Sequence, residues 1–337
     1  MFSAFLKAGD WVEVRSKEEI LATLDKNGRL DELPFMPEMF AYCGQRVRVS
    51  KRAHKTCDPP SGLASRKMQD AVHLDDLRCN GAAHGGCEAG CLIFWKEAWL
   101  KPVEGAAARR TSMRTTAGCT EADVHAGALR SAEAGKEPSY VCQSTQVFQA
   151  TQHLPWWDPR QYLEDYVSGN VKLHQFFAAL LFSLYSRVAG AGIGLGTPMR
   201  WAYNRFQRLR GGAVYPLGRG RVPPGQATPT GKLDLAPGER VKVKSFDEIL
   251  ATLNVDARNR GLYFDPEAVP FCGKTYPVLR RVEKIVDEKT GKLVKLKGDA
   301  IILDGAVCEA RYAKCRRFCP RGIYPYWREI WLERAKS

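Results

Sequence analysis

Two cysteine triplets are the residues of this chain whose type and spacing suggest chemistry. The triplets are Cys79, Cys87 and Cys91, and Cys308, Cys315 and Cys319. Their spacings are Cys-x7-Cys-x3-Cys and Cys-x6-Cys-x3-Cys, so the one-residue difference falls where a loop absorbs it while the thiolates keep their role. Several intervening residues are polar or charged, which is a poor pattern for core cysteines. The triplets therefore predict thiolate-bound metal at both ends of the chain.

The spacing also bears on which metal is bound. Structural zinc sites usually use Cys-x2-4-Cys pairs, most often with two intervening residues, and the chain contains no Cys-x-x-Cys. Iron–sulfur clusters are larger than one zinc ion and take thiolates from wider spacings. The second triplet ends in Cys-x3-Cys-Pro, which is similar to the end of the bacterial ferredoxin motif. An iron–sulfur cluster of the 4Fe–4S type is therefore the first expectation, and zinc is the alternative.

A closed site needs a fourth ligand, and the sequence leaves the choice open. Cys43 and Cys272 are equivalent in the two repeats and would complete symmetric sites, unless they are small core residues before a glycine turn. Cys57 and Cys142 are further thiol candidates in the first copy, and His84 replaces a thiolate if the metal is zinc. With three thiolates only, one iron would stay open as a Lewis acid.

The triplets belong to a longer internal repeat, in which residues 9–79 align with 238–308 without a gap. Each copy opens with a Gly-acid-x-Val-x-Val run whose period of two predicts a strand. The Ser-x-x-Glu pattern at Ser16 and Ser245 predicts a capped helix of about two turns. Each copy ends in a Trp-x-Glu-x-Trp-Leu run, predicted as a strand with its tryptophans on one face, either in the core or as an aromatic platform for bases. The repeated Glu97 and Glu329 are predicted to pair with basic residues.

A repeat that opens G-[DE]-x-V-x-V and consists of short strands resembles the SH3-like barrels of the KOW type. The resemblance covers both ends of the chain and implies small barrels that bind nucleic acid or protein rather than catalyse a reaction. The expected fold class is mainly β with some α, with two SH3-like small barrels flanking a helical middle segment. The expected parts are a barrel with a cysteine cluster (1–103), a flexible linker (104–137) containing Cys119, a helical middle segment (138–210), a Gly/Pro-rich linker (211–236) and a second barrel with a cysteine cluster (237–337).

The middle segment contains an apolar run predicted to form a helix over Leu173–Ala189. This run is too short to cross a bilayer, which takes about 20 residues, so no transmembrane segment is expected. Two interpretations remain. The helix packs on a barrel, or it lies on an anionic membrane with a basic face formed by Arg200, Arg205, Arg208 and Arg210.

Composition limits the partners and the compartment. The net charge of +14 favours an anionic partner, namely nucleic acid, an acidic protein or an anionic membrane surface. The eleven cysteines are odd in number, and the first residues lack a signal-peptide pattern. We therefore expect a reducing cytoplasm, with peripheral attachment to a membrane as an option. Motifs for nucleotide binding and for serine or zinc hydrolases are absent from the sequence.

Three functional hypotheses follow from these patterns. The first is an iron–sulfur protein that serves electron transfer with a redox partner protein, or acts as an accessory subunit. The second is a zinc-stabilised adaptor that binds nucleic acid or protein. The third is an enzyme that uses an open iron–sulfur site as a Lewis acid.

Overall fold

The computed structural model describes residues 5–62, 64–103, 118–131, 137–296, 298–312 and 316–335. Cys315 and most of the predicted linker over residues 104–137 lie outside these ranges. The described chain forms two compact units. Unit 1 consists of Met1–Leu173, Lys284–Lys295 and Phe318–Gly322, and unit 2 of His174–Glu283, Leu296–Arg317 and Ile323–Ser337. Two short segments of the second repeat are thus part of unit 1.

Helices and strands contribute similar shares of the chain, 27% and 23%. The fold is therefore mixed α and β, built on small antiparallel sheets, and the expectation of a mainly β chain is corrected. The strands are β1 (Trp11–Val14), β2 (Arg29–Leu30), β3 (Leu33–Pro34), β4 (Arg46–Arg52), β5 (Lys55–Asp58), β6 (Ala64–Met68), β7 (Ala71–Leu74), β8 (Trp95–Lys96), β9 (Leu100–Pro102), β10 (Leu129–Ser131), β11 (Ser139–Tyr140), β12 (Thr151–His153), β13 (Arg240–Val243), β14 (Arg258–Asn259), β15 (Leu262–Tyr263), β16 (Thr275–Arg281), β17 (Lys284–Val286), β18 (Leu293–Lys295), β19 (Ile301–Leu303) and β20 (Leu332–Arg334).

The helices include one inside the predicted flexible linker, α2, which begins at a Thr120–Asp123 capping box. The α-helices are α1 (Lys17–Leu21), α2 (Glu121–Gly127), α3 (Gln143–Gln146), α4 (Arg160–Val167), α5 (Leu173–Ala189), α6 (Gly196–Arg210) and α7 (Phe246–Leu250). Short 3-10 helices span Pro37–Tyr42, Pro59–Ser61, Glu97–Trp99, Pro266–Phe271 and Glu329–Trp331. The predicted helix over Leu173–Ala189 is confirmed as α5. Among the described residues, no helix combines the length and apolar character needed to cross a bilayer.

The main sheet of unit 1 has the order β8-β7-β4-β1-β9 and is antiparallel throughout. Its two edge strands, β8 and β9, are joined by the single turn Glu97–Trp99. A flat five-stranded sheet would separate its edges by about 19 Å. Four residue steps from Lys96 to Leu100 reach at most about 14 Å, and less in a 3-10 turn. The sheet must therefore curl, although its hydrogen bonds do not close into a barrel within the described residues.

Unit 2 repeats this arrangement with the order β19-β16-β13-β20. Strand β13 pairs with β16 on one side and with the last strand, β20, on the other, as β1 pairs with β4 and β9. An isolated bridge between Ile301 and Trp327 takes the place of the β7–β8 pair. The turn Glu329–Trp331 again precedes the last strand. The two repeats thus have the same strand connections.

The predicted capping boxes are confirmed in both repeats. The Ser16 hydroxyl accepts a hydrogen bond from the backbone N–H of Glu19, and the Glu19 carboxylate accepts one from the backbone N–H of Ser16. Ser245 and Glu248 do the same at α7. These bonds satisfy amides of the first helical turn that have no intrahelical partner. Such caps explain why two five-residue helices begin where the sequence predicts them.

The tryptophan runs are only partly predicted. Trp95 lies in β8, but Glu97–Trp99 is a 3-10 turn, so the prediction of one strand with both tryptophans on one face is wrong. Four tryptophans are completely buried in the two cores, namely Trp95, Trp99, Trp327 and Trp331. An aromatic platform for bases is excluded for these four side chains because they have no exposed face.

Repeated polar contacts hold each turn in place. The indole N–H of Trp99 donates to the Thr23 hydroxyl at 3.1 Å, and that of Trp331 donates to Thr252 at 2.9 Å. The predicted pairing of the repeated glutamates is confirmed, since Glu97 pairs with Arg52. In unit 2 the equivalent pair is formed by Glu329 and Arg281. The turn before the last strand is therefore fixed by an indole bond and an ion pair in both copies.

We expect Thr23→Val to lower the free energy of unfolding by ~1–3 kcal/mol, because valine has the shape of threonine but leaves the buried Trp99 N–H unsatisfied. Thr23→Ser keeps the acceptor and is the matched control. Urea unfolding followed by tryptophan fluorescence measures both variants. Equal losses in the two variants would show that the indole hydrogen bond contributes little.

Candidate metal centre

The loop between β7 and β8 carries the first cysteine triplet. The backbone N–H of Cys79 donates to the carbonyl of Cys91 at 2.8 Å, which closes the loop at its base. Gly81 has φ +76°, and a Cβ there would lie 2.0 Å from the carbonyl oxygen of Cys87. Only glycine permits this close crossing of the loop on itself. The loop is thus folded tightly enough to give its side chains defined positions.

Three side chains of unit 1 bring their ligand atoms together at the start of this loop. Cys79 and His84 belong to the loop, and Glu38 lies on the 3-10 helix Pro37–Tyr42. The Cys79 Sγ is 3.3 Å from the Glu38 Oε1 and 3.3 Å from the His84 Nε2. The His84 Nδ1 is 3.9 Å from the same Glu38 oxygen. One ligand atom from each residue lies within 4.8 Å of the other two. We call Glu38, Cys79 and His84 the triad.

The separations within the triad suit a single ion. With Zn–S near 2.3 Å and Zn–N or Zn–O near 2.1 Å, neighbouring ligand atoms of a tetrahedral zinc lie about 3.5 Å apart. The two measured distances from the Cys79 Sγ, both 3.3 Å, come close to this value. Thiolate, imidazole and carboxylate are the three side-chain ligands that zinc takes in proteins. The triad is therefore a candidate site for zinc with a fourth position left for another ligand.

The buried environment of the triad favours the binding of a cation. The Glu38 side chain is only 4% exposed and forms no ion pair with lysine or arginine among the described residues. Its Oε2 and the His84 Nδ1 have no hydrogen-bond partner within the described chain. Burial raises the pKa of the Cys79 thiol far above its usual range and lowers the pKa of His84, which keeps the imidazole neutral. A neutral imidazole is the form that binds metal.

The second repeat lacks this arrangement among the described residues. Glu267, the counterpart of Glu38, accepts hydrogen bonds from the backbone N–H groups of Arg311 and Tyr312, both at 2.7 Å. Burial raises the pKa of the Cys308 thiol to about 12, but no histidine follows Cys308 in its loop. The glutamate is thus satisfied by amides and organises the loop of unit 2. The expected symmetry between the two cysteine sites is absent among the described residues.

Five other cysteines of unit 1 interact electrostatically with one another or with the buried Arg321. We call these five the thiol group. They are Cys57, Cys87, Cys91, Cys142 and Cys319. The Arg321 guanidinium donates to the carbonyl of Cys57 at 2.9 Å and to the Ser144 hydroxyl at 3.0 Å, and it pairs with Glu288 at 2.6 Å. Its charge acts on the thiols of Cys57, Cys91 and Cys319. Cys142 interacts in the same way with Cys87 and Cys91.

Hydrogen-bond donors point at several sulfur atoms of the thiol group. The Cys319 Sγ accepts from the backbone N–H of Cys57 at 3.2 Å, and the Cys87 Sγ accepts from that of Val286 at 3.3 Å. The Ser144 hydroxyl donates to the Cys91 Sγ at 3.4 Å. Hydrogen bonds of this kind tune sulfur ligands in iron–sulfur proteins. Among the described residues, however, only the triad has three such ligand atoms within 4.8 Å of one another, as one shared ion requires.

The remaining predicted ligands lie elsewhere. Cys43 and Cys272 each follow the last residue of a 3-10 helix and precede a glycine with positive φ. The charged side chains that act on the Cys43 thiol are those of Lys17 and Glu18 on α1. These positions favour the alternative interpretation, small residues before a glycine turn. Cys315 lies outside the described residues.

Two features of the site were missed from the sequence. Glu38 recurs as Glu267 in the second repeat, but a pattern based on cysteine spacing does not identify it as a ligand. Its recurrence as Glu267 in an otherwise apolar helix is a signal that could have identified it. No sequence pattern identified Arg321, because most of its partners, such as Cys57, Cys91 and Ser144, lie far from it in the sequence.

Comparison of the chain with family models, curated proteins and solved structures finds no match.

We expect Cys142 to be alkylated at least tenfold more slowly than Cys119 in the native protein at pH 8. Burial raises the pKa of Cys142 to about 12, so little reactive thiolate is present, whereas Cys119 is only partly buried. A short pulse of iodoacetamide followed by mass spectrometry of the peptides measures both rates. Urea-unfolded protein, in which the two should react alike, is the control, and equal native rates would contradict the placement of Cys142.

Proposed function

We propose that this protein is a metal-stabilised adaptor whose first unit holds one zinc ion on Glu38, Cys79 and His84. The observation that carries the proposal is the convergence of three different zinc ligands around a buried carboxylate without a cationic side-chain partner among the described residues. A divalent cation would neutralise Glu38 and the Cys79 thiolate together. It would contact the Glu38 Oε1 and the His84 Nε2, the two atoms that lie 3.3 Å from the Cys79 Sγ.

The choice of zinc follows from the donor set. Iron–sulfur clusters are bound mainly by thiolates, whereas the triad offers one sulfur, one nitrogen and one oxygen. Zinc accepts all three donor types in a tetrahedral arrangement. Cys91 lies within electrostatic range of Cys79 and is a candidate for the fourth position after a side-chain rotation. A thiolate in that position would make the site closed and structural rather than catalytic.

An adaptor role is supported by the strand connections. In each unit the first strand pairs with the second and the last strand of the curled sheet, and one 3-10 turn precedes the last strand. This agrees with the resemblance to SH3-like barrels of the KOW type, which implies binding rather than catalysis. The net charge of +14 favours an anionic partner. A reducing compartment such as the cytoplasm belongs to the proposal, because the thiols must stay reduced.

We expect Glu38→Gln and His84→Ala each to weaken zinc binding at least tenfold, since each removes one of three protein ligands. Glu267→Gln, the equivalent change in the second repeat, should leave the affinity unchanged and is the matched control. Competition with a chromophoric chelator measures the affinities, and elemental analysis measures the stoichiometry. Absence of zinc binding by the wild-type protein would refute the triad as the site. Equal zinc affinities of the Glu38→Gln and Glu267→Gln variants would refute it as well.

The affinity for zinc should also fall at acidic pH, by up to tenfold per pH unit. Burial raises the pKa of the Cys79 thiol, so the metal-free protein carries a proton there that zinc must displace. Zinc binding releases this proton, so a higher proton concentration opposes binding. Competition titrations between pH 6 and pH 8 test it. Affinity that does not change over this range would mean that Cys79 is not a ligand.

A second candidate function is supported by the thiol group. The five members of the thiol group, three of which interact with Arg321 and three of which accept hydrogen bonds, offer enough ligands and one balancing positive charge for an iron–sulfur cluster. The thiolates that bind a cluster are spaced more widely than those around a single ion, so sulfur atoms more than 4.8 Å apart can still bind a cluster. In this case unit 1 would take part in electron transfer with a redox partner protein.

Anaerobic reconstitution with ferrous iron and sulfide tests this second candidate. We expect a brown protein with bound iron and sulfide, and we expect the Cys57→Ser, Cys142→Ser double variant to lose most of both. Cys272→Ser, at a partly buried cysteine of unit 2 outside the thiol group, is the control and should retain them. A protein that stays colourless after reconstitution, or a double variant that binds as much iron as wild type, would reject the cluster.

A further inference from the structure

The hairpin formed by α5 and α6 in unit 2 exposes a continuous apolar stripe. On α5 the stripe consists of Phe177, Leu180, Leu181, Leu184 and Val188, which recur at the spacing of one helical face. Leu181 and Leu184 are 66% and 61% exposed. The described part of the chain covers none of these side chains well. An apolar stripe of this length calls for a partner.

The opposite face of α5 already has its contacts. The ring of Phe182 packs against Tyr312 at 5.0 Å between centroids, and Tyr203 of α6 packs against Tyr215 at 5.5 Å. Arg317 donates to the carbonyl of Ala179 at 3.1 Å. These contacts attach the hairpin to unit 2 through one side only. The apolar stripe therefore lies on the face of α5 that points away from these contacts.

The connection and α6 extend the apolar surface and add positive charge. Ile193 and Leu195 are exposed in the connection between the helices. On α6, Trp201 is 69% exposed and shares the exposed face with Arg205 and Arg208. The described salt bridges include neither arginine. Apolar and cationic side chains thus share the exposed face of α6.

The charge around the hairpin has a single sign. No acidic residue occurs between Asp165 and Asp234, whereas about one residue in nine is acidic in the chain as a whole. The same stretch contains nine basic residues, which are Lys172, Arg187, Arg200, Arg205, Arg208, Arg210, Arg219, Arg221 and Lys232. A partner that accepts this surface must be apolar at its centre and negative at its edge.

We propose that the α5–α6 hairpin is a peripheral binding site for an anionic lipid bilayer. The apolar stripe enters the boundary between headgroups and acyl chains, and the arginines contact lipid phosphates. Trp201 occupies the interfacial region that tryptophan prefers. The hairpin lies on the membrane and does not cross it, since no described helix is suited to cross. This inference does not depend on the metal proposed for unit 1.

A bilayer explains the surface better than a second copy of the chain. The centre of a protein–protein interface is depleted in charged residues, and a symmetric dimer would bring the arginines of two hairpins near each other. On an anionic bilayer the same arginines meet opposite charge. The lack of any acidic residue in the hairpin removes repulsion from lipid phosphates.

Co-sedimentation of the full chain with vesicles tests the proposal. We expect binding to vesicles of phosphatidylcholine mixed with phosphatidylglycerol, and at least tenfold weaker binding to phosphatidylcholine alone. Raising the salt concentration should weaken binding to the mixed vesicles, because the attraction to the lipid surface is screened. Equal binding to both vesicle types, or no binding to either, would overturn the proposal.

Two sets of variants assign the effect to the hairpin. Leu181→Ser with Leu184→Ser should reduce the partition coefficient about a hundredfold, and Arg205→Gln with Arg208→Gln about twenty-five-fold. Val255→Ser, an exposed apolar residue of unit 2 outside the hairpin, should have no effect. Circular dichroism confirms that each variant is folded. A leucine variant that binds like wild type would reject the hairpin as the site.

Sedimentation velocity without lipid distinguishes the competing occupant. We expect a monomer in dilute solution for both wild type and the leucine variant. A wild-type dimer that the leucine substitutions dissociate would assign the stripe to self-association instead and overturn the proposal.

Discussion

A buried carboxylate needs a proton, a cation or a set of hydrogen-bond donors, because an isolated charge in a low-dielectric interior is costly. The two repeats place a glutamate on the same short helix and meet this requirement differently. Glu267 receives two backbone N–H bonds. Glu38 instead faces the thiol of Cys79 and the neutral imidazole of His84, and one of its oxygens has no partner within the described chain. This difference makes the first repeat a candidate metal centre and leaves the second as a scaffold.

The shared framework explains how one copy could change without losing its fold. In both units the turn before the last strand is held by an indole bond to a threonine and by an Arg–Glu pair. These contacts lie away from the cysteine loop. The loop can therefore acquire or lose ligands while the pairing of the first and last strands persists. The proposed metal binding would be added to a fold that is already supported by its core.

The sequence predicts what depends on local interactions. The capping boxes at Ser16 and Ser245 form as predicted because each involves residues three positions apart. The α5 helix follows from its apolar run, and the Arg–Glu pairs follow from the repeat. The turn at Glu97–Trp99 was predicted as strand because a period of two does not distinguish a strand from a short turn that buries the same tryptophans. The share of helix is higher than expected because α2 forms inside the predicted linker and short 3-10 helices occur in both repeats.

The candidate site was predicted less well because its members are distant in sequence. Cys79 and His84 share a loop, but Glu38 arrives from a helix 41 positions earlier, which no spacing rule links to the triplet. The thiol group draws Cys142 and Cys319 from separate parts of the chain, so its composition depends on tertiary structure alone. A repeated motif therefore indicated that thiols matter without indicating which of them meet.

The positive charge of the protein is best understood by its distribution. Basic residues in unit 1 often serve internal pairs, as Arg52 does with Glu97 and Arg321 with Glu288. Arg205 and Arg208 of the hairpin are different, since they lie on an exposed face in a stretch without acidic residues. Charge that forms internal pairs stabilises the fold, whereas charge concentrated beside an exposed apolar stripe acts on a partner. The net charge alone fits nucleic acid, acidic protein and membrane equally well. The adjoining leucines favour the membrane, because only this partner offers an apolar interior directly beneath a negatively charged surface.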